Sequence, residues 1–179
     1  MRCLSLLAIL LFAFAANADE GERGIHVDLD DVIAAGDVEP VDGITASGQP
    51  DEEALKVFAD SGYSVVIDMR GPDEDRGMDD FAGAVEATGM QYLAFPVVGK
   101  DQISFETAAK LDEVLQGIDG PVLMHCGSGN RVGAVLALRQ SLNGASDDES
   151  IEFGKDAGMT RLEPRVREVL ESNIRIQAL

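Results

Sequence analysis

The residues best suited to do chemistry lie together in one loop, His125-Cys126-Gly127-Ser128-Gly129-Asn130-Arg131. The apolar run PVLM (121–124) precedes it and VGAVLAL (132–138) follows it, so the loop reads as the turn between a strand and a helix. A cysteine at that place faces the unpaired N–H groups of the helix start. Their positive partial charge stabilises a thiolate, the nucleophilic form. Gly127 and Gly129 let the backbone turn until successive N–H groups, from Gly127 to Asn130, converge on one point, which is a nest for an oxyanion. Arg131 closes the ring with a planar fork that matches two oxygens of a phosphate or sulfate. Asn130 tolerates a left-handed conformation better than most residues. Ser128 offers a hydroxyl donor or is simply a small turn residue. Phosphate binding is therefore expected from Gly127, Ser128, Gly129, Asn130 and Arg131, with Cys126 as nucleophile.

Hydrolysis of a phosphate ester through a thiol also needs an acid for the leaving oxygen. Asp101 is the first candidate, in a loop that follows the apolar PVV (96–98). Asp68, at the end of another apolar run, is the second, with capping or pairing to Arg70 as its structural alternative. The acidic loop Asp73-Glu74-Asp75 is the third, although such a run is usually a solvated face. His125 either tunes the neighbouring thiol or fills the core, and His26 is assigned no role. Two histidines and one cysteine beyond the leader give no metal-ligand spacing, so neither a metal nor an organic cofactor is implied.

The elements that must position these groups can be read along the chain. Ser47-Gly48-Gln49-Pro50 is a turn feeding a helix, with Pro50 suited to the first helical position and Gly62 to the stop. YSVVIDMR (63–70) is a buried strand. A helix is expected from about Met78 to Thr88, then a strand in MQYLAFPVV (90–98). Ser104 caps a helix bearing Phe105, Ala108, Leu111, Val114, Leu115 and Ile118 at helical spacing. VLMHC (122–126) is the next strand, and the helix after the loop closes near Asn143-Gly144. Ser146 and Glu149 form a capping box, and a last helix starts near Glu163-Pro164. Strands alternating with helices predict an α/β fold, a mostly parallel central sheet flanked by helices. Ligands in such sheets bind beyond the carboxyl ends of the strands, where Asp68–Arg70, Gly99–Asp101 and His125–Arg131 all fall.

Residues 1–18 read as a secretory leader: Arg2, an apolar core, then Ala16-Asn17-Ala18. That core is too short for a comfortable span, so no stable membrane anchor is expected after cleavage. Residues 19–40 read as a loose N-terminal arm with one short helix around DDVIAAG, and residues 41–179 as one domain. The protein is expected to be periplasmic or secreted. Without Arg2, 13 basic side chains face 33 acidic ones, a net charge of −20. Such a surface repels nucleic acid and anionic lipid. It also slows the approach of highly anionic substrates unless a local basic pocket overrides the field. Cys3 leaves with the leader, so Cys126 becomes the sole thiol and no internal disulfide can form.

The order SGQP, helix, GYSVVIDMR, GMQYLAFPV and VLMHCGSGNRVGA resembles the bacterial tyrosine-phosphatase-like family. More closely, it resembles the phosphatase-like domain of beta-lactamase-hydrolase-like proteins. The resemblance covers roughly residues 41–179, and SGQP and HCGSGNR are its most specific parts. It implies a tyrosine or dual-specificity phosphatase-like fold, a phosphorylated protein or small molecule as substrate, and a cysteinyl-phosphate mechanism. In that mechanism Cys126 attacks phosphorus, Arg131 binds the phosphoryl oxygens, an aspartate protonates the leaving group, and water hydrolyses the intermediate. Two features depart from the familiar signature, which has five residues between Cys and Arg and then Ser or Thr. Here there are four, and Val132 follows. One fewer residue removes one amide and narrows the ring, and the absent hydroxyl removes a group that would stabilise the departing thiolate. The short loop, with VVIDMRGPDEDRG, is also similar to rhodanese, a sulfurtransferase in which Cys126 would carry a persulfide. A catalytically silent phosphate- or sulfate-binding module is the third expectation.

Overall fold

The computed structural model describes residues 25–177, with side chains to residue 172. The expected leader and residues 19–24 of the arm lie outside the described residues. Four parallel strands form one sheet: β1 (Ile44–Ser47), β2 (Val65–Asp68), β3 (Gln91–Ala94) and β4 (Val122–His125), in the order β1-β4-β2-β3. Seven helices are described: α1 (Leu29–Ala35), α2 (Glu52–Asp60), α3 (Phe81–Ala87), α4 (Phe105–Gln116), α5 (Asn130–Leu142), α6 (Asp147–Asp156) and α7 (Glu163–Gln177). This is the α/β architecture the alternating pattern predicts. Among the described residues no helix is long and apolar enough to cross a membrane.

The central strands are buried on both faces, which is why they read as unbroken apolar runs. Val65, Ile67, Val122 and Met124 point into the core beneath α4–α7, and Val66 and Leu123 into the core beneath α1–α3. The register aligns Ser47, His125, Asp68 and Ala94 in one row, so all four strands end at the same level. The segments leaving that row include the Gly48–Pro50 turn, the Cys126 loop, Arg70–Arg76 and Phe95–Asp101.

Several boundaries differ from the sequence reading. The strand β1 is missed by it, because ITAS is short and half polar. Its buried Thr45 is satisfied by a hydrogen bond with the Tyr63 hydroxyl, and Ser47 donates to the Gly48 carbonyl at 2.9 Å. The arm is packed from Ile25 onward rather than loose. The Val27 N–H donates to the Ala46 carbonyl and the Ala46 N–H to the Ile25 carbonyl, at 2.9 and 2.8 Å, which covers the edge of β1. The short helix expected at DDVIAAG is α1, capped by Asp28 and ended by Gly36 at φ 75°. The helix after SGQP starts beyond Pro50, because Asp51 is its cap and accepts the Ala54 N–H at 2.8 Å. The strand in MQYLAFPVV stops at Ala94; Pro96 has no N–H to donate to a ladder. The helix after the acidic loop begins at Phe81, capped by Asp80, not at Met78.

The helix α5 carries the end of the chemical loop and is buried from Val132 to Leu138. It lies against α6 without room for a side chain. A Cβ on Gly133 would stand 2.3 Å from the Gly154 carbonyl oxygen and 2.4 Å from the Met159 amide nitrogen, both backbone atoms that cannot swing aside. Gly133→Ala is therefore expected to destabilise the fold by about 1–3 kcal/mol, the usual scale of overpacking. Gly117→Ala, whose Cβ meets nothing nearer than the Val114 carbonyl at 3.5 Å, should change stability by less than about 0.5 kcal/mol. Urea unfolding midpoints decide it, and equal midpoints for the two variants would contradict the packing described.

Candidate active site

The loop begins at Cys126, which is buried, and is held in place from both sides. Ser128 pairs with Gly48 in an isolated antiparallel bridge, so the SGQP segment supports the loop directly. The left-handed residue is Gly129, at φ 76°, and not Asn130, which is already the first residue of α5. The Asn130 side chain turns outward to a different task. Its Oδ1 accepts the Thr160 N–H at 2.8 Å, the Thr160 hydroxyl at 3.2 Å and the Leu162 N–H at 3.2 Å. This fixes the turn between α6 and α7 against the loop. Arg161 lies within that turn.

A depression of about 300 Å³ opens at the loop, lined by Cys126, Gly127, Ser128, Asn130, Arg131 and Arg161. The Arg131 guanidinium is clamped by Glu74 through two hydrogen bonds, Nη1 to Oε1 at 2.6 Å and Nη2 to Oε2 at 2.7 Å. Nη1 also donates to the Met69 and Val97 carbonyls, each at 3.2 Å. Nη2 lies 4.0 Å from where a Cβ on Gly127 would stand. Glu74 and then the neighbouring Cys126 side chain raise the pKa of the guanidinium. The fork thus has one edge braced on a carboxylate and the loop with its thiol beside it.

Glu74 owes its position to the buried Asp68. Asp68 Oδ2 accepts from Arg76 Nε at 2.6 Å and from the Tyr92 hydroxyl at 2.9 Å, and Oδ1 accepts the Arg70 N–H at 2.8 Å. Arg76 in turn donates to the carbonyls of Glu74, Arg70 and Gly71, at 2.9, 3.3 and 3.1 Å. Burial works against the Arg76 charge, but Asp68 outweighs it and the guanidinium pKa is raised. For Tyr92, burial first and Asp68 second push the phenol pKa up. Asp68 is therefore a structural anchor and not an available acid. Its charged partner is Arg76, while Arg70 donates only its backbone N–H to it and sends its side chain to Gln49 Oε1 at 3.0 Å.

His125 is fully buried, 4.9 Å from the Phe81 ring between centroids, and its Nε2 is 3.5 Å from Asp68, too long for a hydrogen bond. Burial lowers its pKa to about 4 against the pull of Asp68, so it packs as a neutral core residue. Asp101 is exposed on a one-turn 3₁₀ helix (Lys100–Gln102) and has no hydrogen-bond or ion-pair partner among the described residues. It does not line the Cys126 depression. Its neighbour Lys100 lines an adjoining one of about 260 Å³, together with Glu74, Val97 and Arg131. Asp73 and Asp75 are exposed, and Asp75 accepts the Gly77 N–H. Among the described residues no group of three or more histidine, cysteine, aspartate or glutamate side chains is placed to hold a metal ion.

Sequence reasoning flagged Glu74 only as one of three acids in a candidate loop and missed Arg76, Tyr92 and Arg161. Glu74 and Arg131 are 57 residues apart, so no local pattern reveals the clamp. The arginine hydrogen bonds hold the Glu74 pKa down at about 2, from 4.5. A carboxylate with a lowered pKa in the folded state contributes stability that is complete above 4.5 and is lost as the pH falls through 2. The difference in thermal midpoint between wild type and Glu74→Gln should thus be level from about pH 5.5 to 8 and close as the pH approaches 2. A difference that vanishes already near pH 5 would contradict the clamp.

The model of the beta-lactamase hydrolase-like protein phosphatase-like domain matches residues 40–143, more than half of the chain. A beta-lactamase hydrolase-like protein of Xylella fastidiosa is 29% identical over 112 residues, which are 61% of this chain and 26% of that protein. The chain spans about a quarter of the length of the curated relatives it matches. Among solved structures, a candidate phosphatase from Neisseria meningitidis superposes with a TM-score of 0.60 at 22% identity, covering 69% of this chain and 91% of that one. Kinase associated phosphatase, carrying serine for its catalytic-site cysteine, superposes with a TM-score of 0.54 at 13% identity, covering 75% and 86%. The fold is thus that of the tyrosine- and dual-specificity-phosphatase-like proteins, as the resemblance in sequence implies. With the sheet, the loop and the matched segment in agreement, this chain belongs to the family of beta-lactamase hydrolase-like protein phosphatase-like domains.

Proposed function

We propose that the protein is an exported, cysteine-dependent phosphatase that hydrolyses a phosphomonoester through a cysteinyl-phosphate intermediate. The observation that carries the reading is the placing of Cys126 and a braced Arg131 on one depression at the carboxyl edge of the sheet. The catalytic-site cysteine of kinase associated phosphatase supports it by likeness of fold. The leader pattern in residues 1–18 supports export to the periplasm or beyond.

In this mechanism the phosphoryl group sits over the Cys126 thiolate. The amides from Gly127 to Asn130 cradle its oxygens, and Arg131 binds them with the edge of its fork that Glu74 leaves open. The bracing matters because a fork held in advance loses little entropy on binding, and the positive start of α5 adds to the field. The sulfur attacks phosphorus, the ester oxygen departs with a proton, and water then cleaves the sulfur–phosphorus bond. Asp101 is the first acid candidate, and the hydrogen bonding leaves it uncommitted, whereas Asp68 is bound to Arg76 and Glu74 to Arg131. It would act from the exposed turn as substrate binds. Each step uses groups of the chain itself, with no metal or organic cofactor.

The experiment is steady-state hydrolysis of an aryl phosphate and an alkyl phosphate under reducing conditions. Wild type should release phosphate from both. Cys126→Ser should abolish turnover of both, and Arg131→Ala should lower kcat/KM by roughly a thousandfold, the scale for losing a charged group that stabilises the transition state. Asp101→Asn should cost roughly 10²–10⁴ in kcat on the alkyl ester, whose leaving oxygen needs the proton, and far less on the aryl ester. An inactive wild type that moves sulfur from thiosulfate to cyanide would replace this reading with sulfur transfer.

A further inference from the structure

Eleven lysine and arginine side chains lie among the described residues, and nine of them pair with a carboxylate. Lys100 and Arg161 have no hydrogen-bond or ion-pair partner for their charged groups among the described residues. In a chain of 33 acidic and 14 basic side chains, the surplus of carboxylates makes an unpaired cation the exception. Both exceptions line depressions next to Arg131. Arg161 lines the depression above Cys126, and Lys100 lines the adjoining one. The two depressions share Arg131, and the Arg161–Leu162 turn lies between them, Arg161 lining one and Leu162 the other.

The backbones that carry these two cations are pinned, while their side chains are not. Asn130 Oδ1 brackets Arg161 by accepting the N–H groups of Thr160 and Leu162. Arg165 Nε donates to the Lys100 carbonyl at 3.1 Å. Arg131 itself is already held by Glu74, so Arg161 and Lys100 are the cations here whose charged groups have no carboxylate partner among the described residues. Away from these depressions the acidic surface repels an extended acidic chain, whereas fields from distant charges fade beyond about 10 Å at 0.1 M salt. A compact anion that reaches only the depressions meets the two cations and little of the repulsion.

We infer that the substrate is a compact phosphomonoester bearing a second phosphate group, the reacting phosphoryl lying over Cys126 and the second phosphate meeting Arg161 and Lys100. This rests on the phosphatase reading for the first group and on the two free cations for the second.

Titration calorimetry with orthophosphate and pyrophosphate as probes tests it, on wild type and on the Lys100→Gln/Arg161→Gln double variant. Wild type should bind pyrophosphate roughly three- to tenfold more tightly than orthophosphate at moderate salt, the size expected of two solvent-facing ion pairs. In the double variant the two probes should bind alike, and in wild type the advantage should shrink as salt rises. Equal binding of the probes by wild type, an advantage that survives in the double variant, or no binding of either probe would overturn the inference. The outcome is separable from that of the hydrolysis assay. A pyrophosphate advantage without aryl-phosphate turnover would sink the phosphatase reading and leave a two-anion site. Turnover without the advantage would do the reverse.

Discussion

The Asp68 carboxylate buried against the Arg76 guanidinium is the contact on which the order of the site depends. A buried charge is costly unless it is paired and its remaining lone pairs are filled. Here Arg76, Tyr92 and the Arg70 N–H fill them. With Arg76 fixed, its remaining donors gather the carbonyls of Arg70, Gly71 and Glu74 and fold the acidic loop into one shape. That shape presents Glu74 to Arg131, and Arg131 is thereby held beside the thiol. Three links, all polar, lead from a strand residue to the guanidinium beside the candidate nucleophile: Asp68 to Arg76, Arg76 to the Glu74 carbonyl, and Glu74 to Arg131.

The sheet supplies the other half of the constraint. Because all four strands end in one row, the loops that leave it start from a common level. The loop after β4 must turn at once into α5, and Gly129 supplies the left-handed residue that makes the turn possible. The helix α5 cannot retreat, since Gly133 and Gly154 bring it against α6 backbone to backbone. The short spacing between Cys126 and Arg131 is thus set in a rigid frame, with the SGQP segment on one side and the Asn130-bound turn on the other.

Much of this was legible in the sequence. The apolar runs of β2 and β4 reveal strands buried on both faces, and the Cys126 loop stands out because its residue types and spacing are local. What was hidden depends on partners far apart in the chain. ITAS reads as loop because Thr45 is satisfied by Tyr63 and the Ala46 backbone by the Ile25–Val27 segment, which no window around it contains. Glu74 reads as one acid in a run of three until its partner, 57 residues on, is known. Asp68 reads as a candidate acid because burial and a paired arginine leave no trace in local pattern. Arg161 carries no signal at all, since its importance comes only from the turn that Asn130 holds over the loop. Residue type and period therefore locate the nucleophile and its strand, while long-range polar pairing decides which of the neighbouring charged groups are anchors and which are free.

The central claim, that Cys126 forms a bond to phosphorus, is tested most directly by trapping the intermediate. Protein mixed rapidly with an aryl phosphate, quenched in acid and digested, should yield the peptide containing Cys126 with the mass of an added phosphoryl group, and the adduct should be absent from Cys126→Ser. Turnover accompanied by an unmodified Cys126 peptide, or a Cys126 that carries an added sulfur atom instead, would contradict the account.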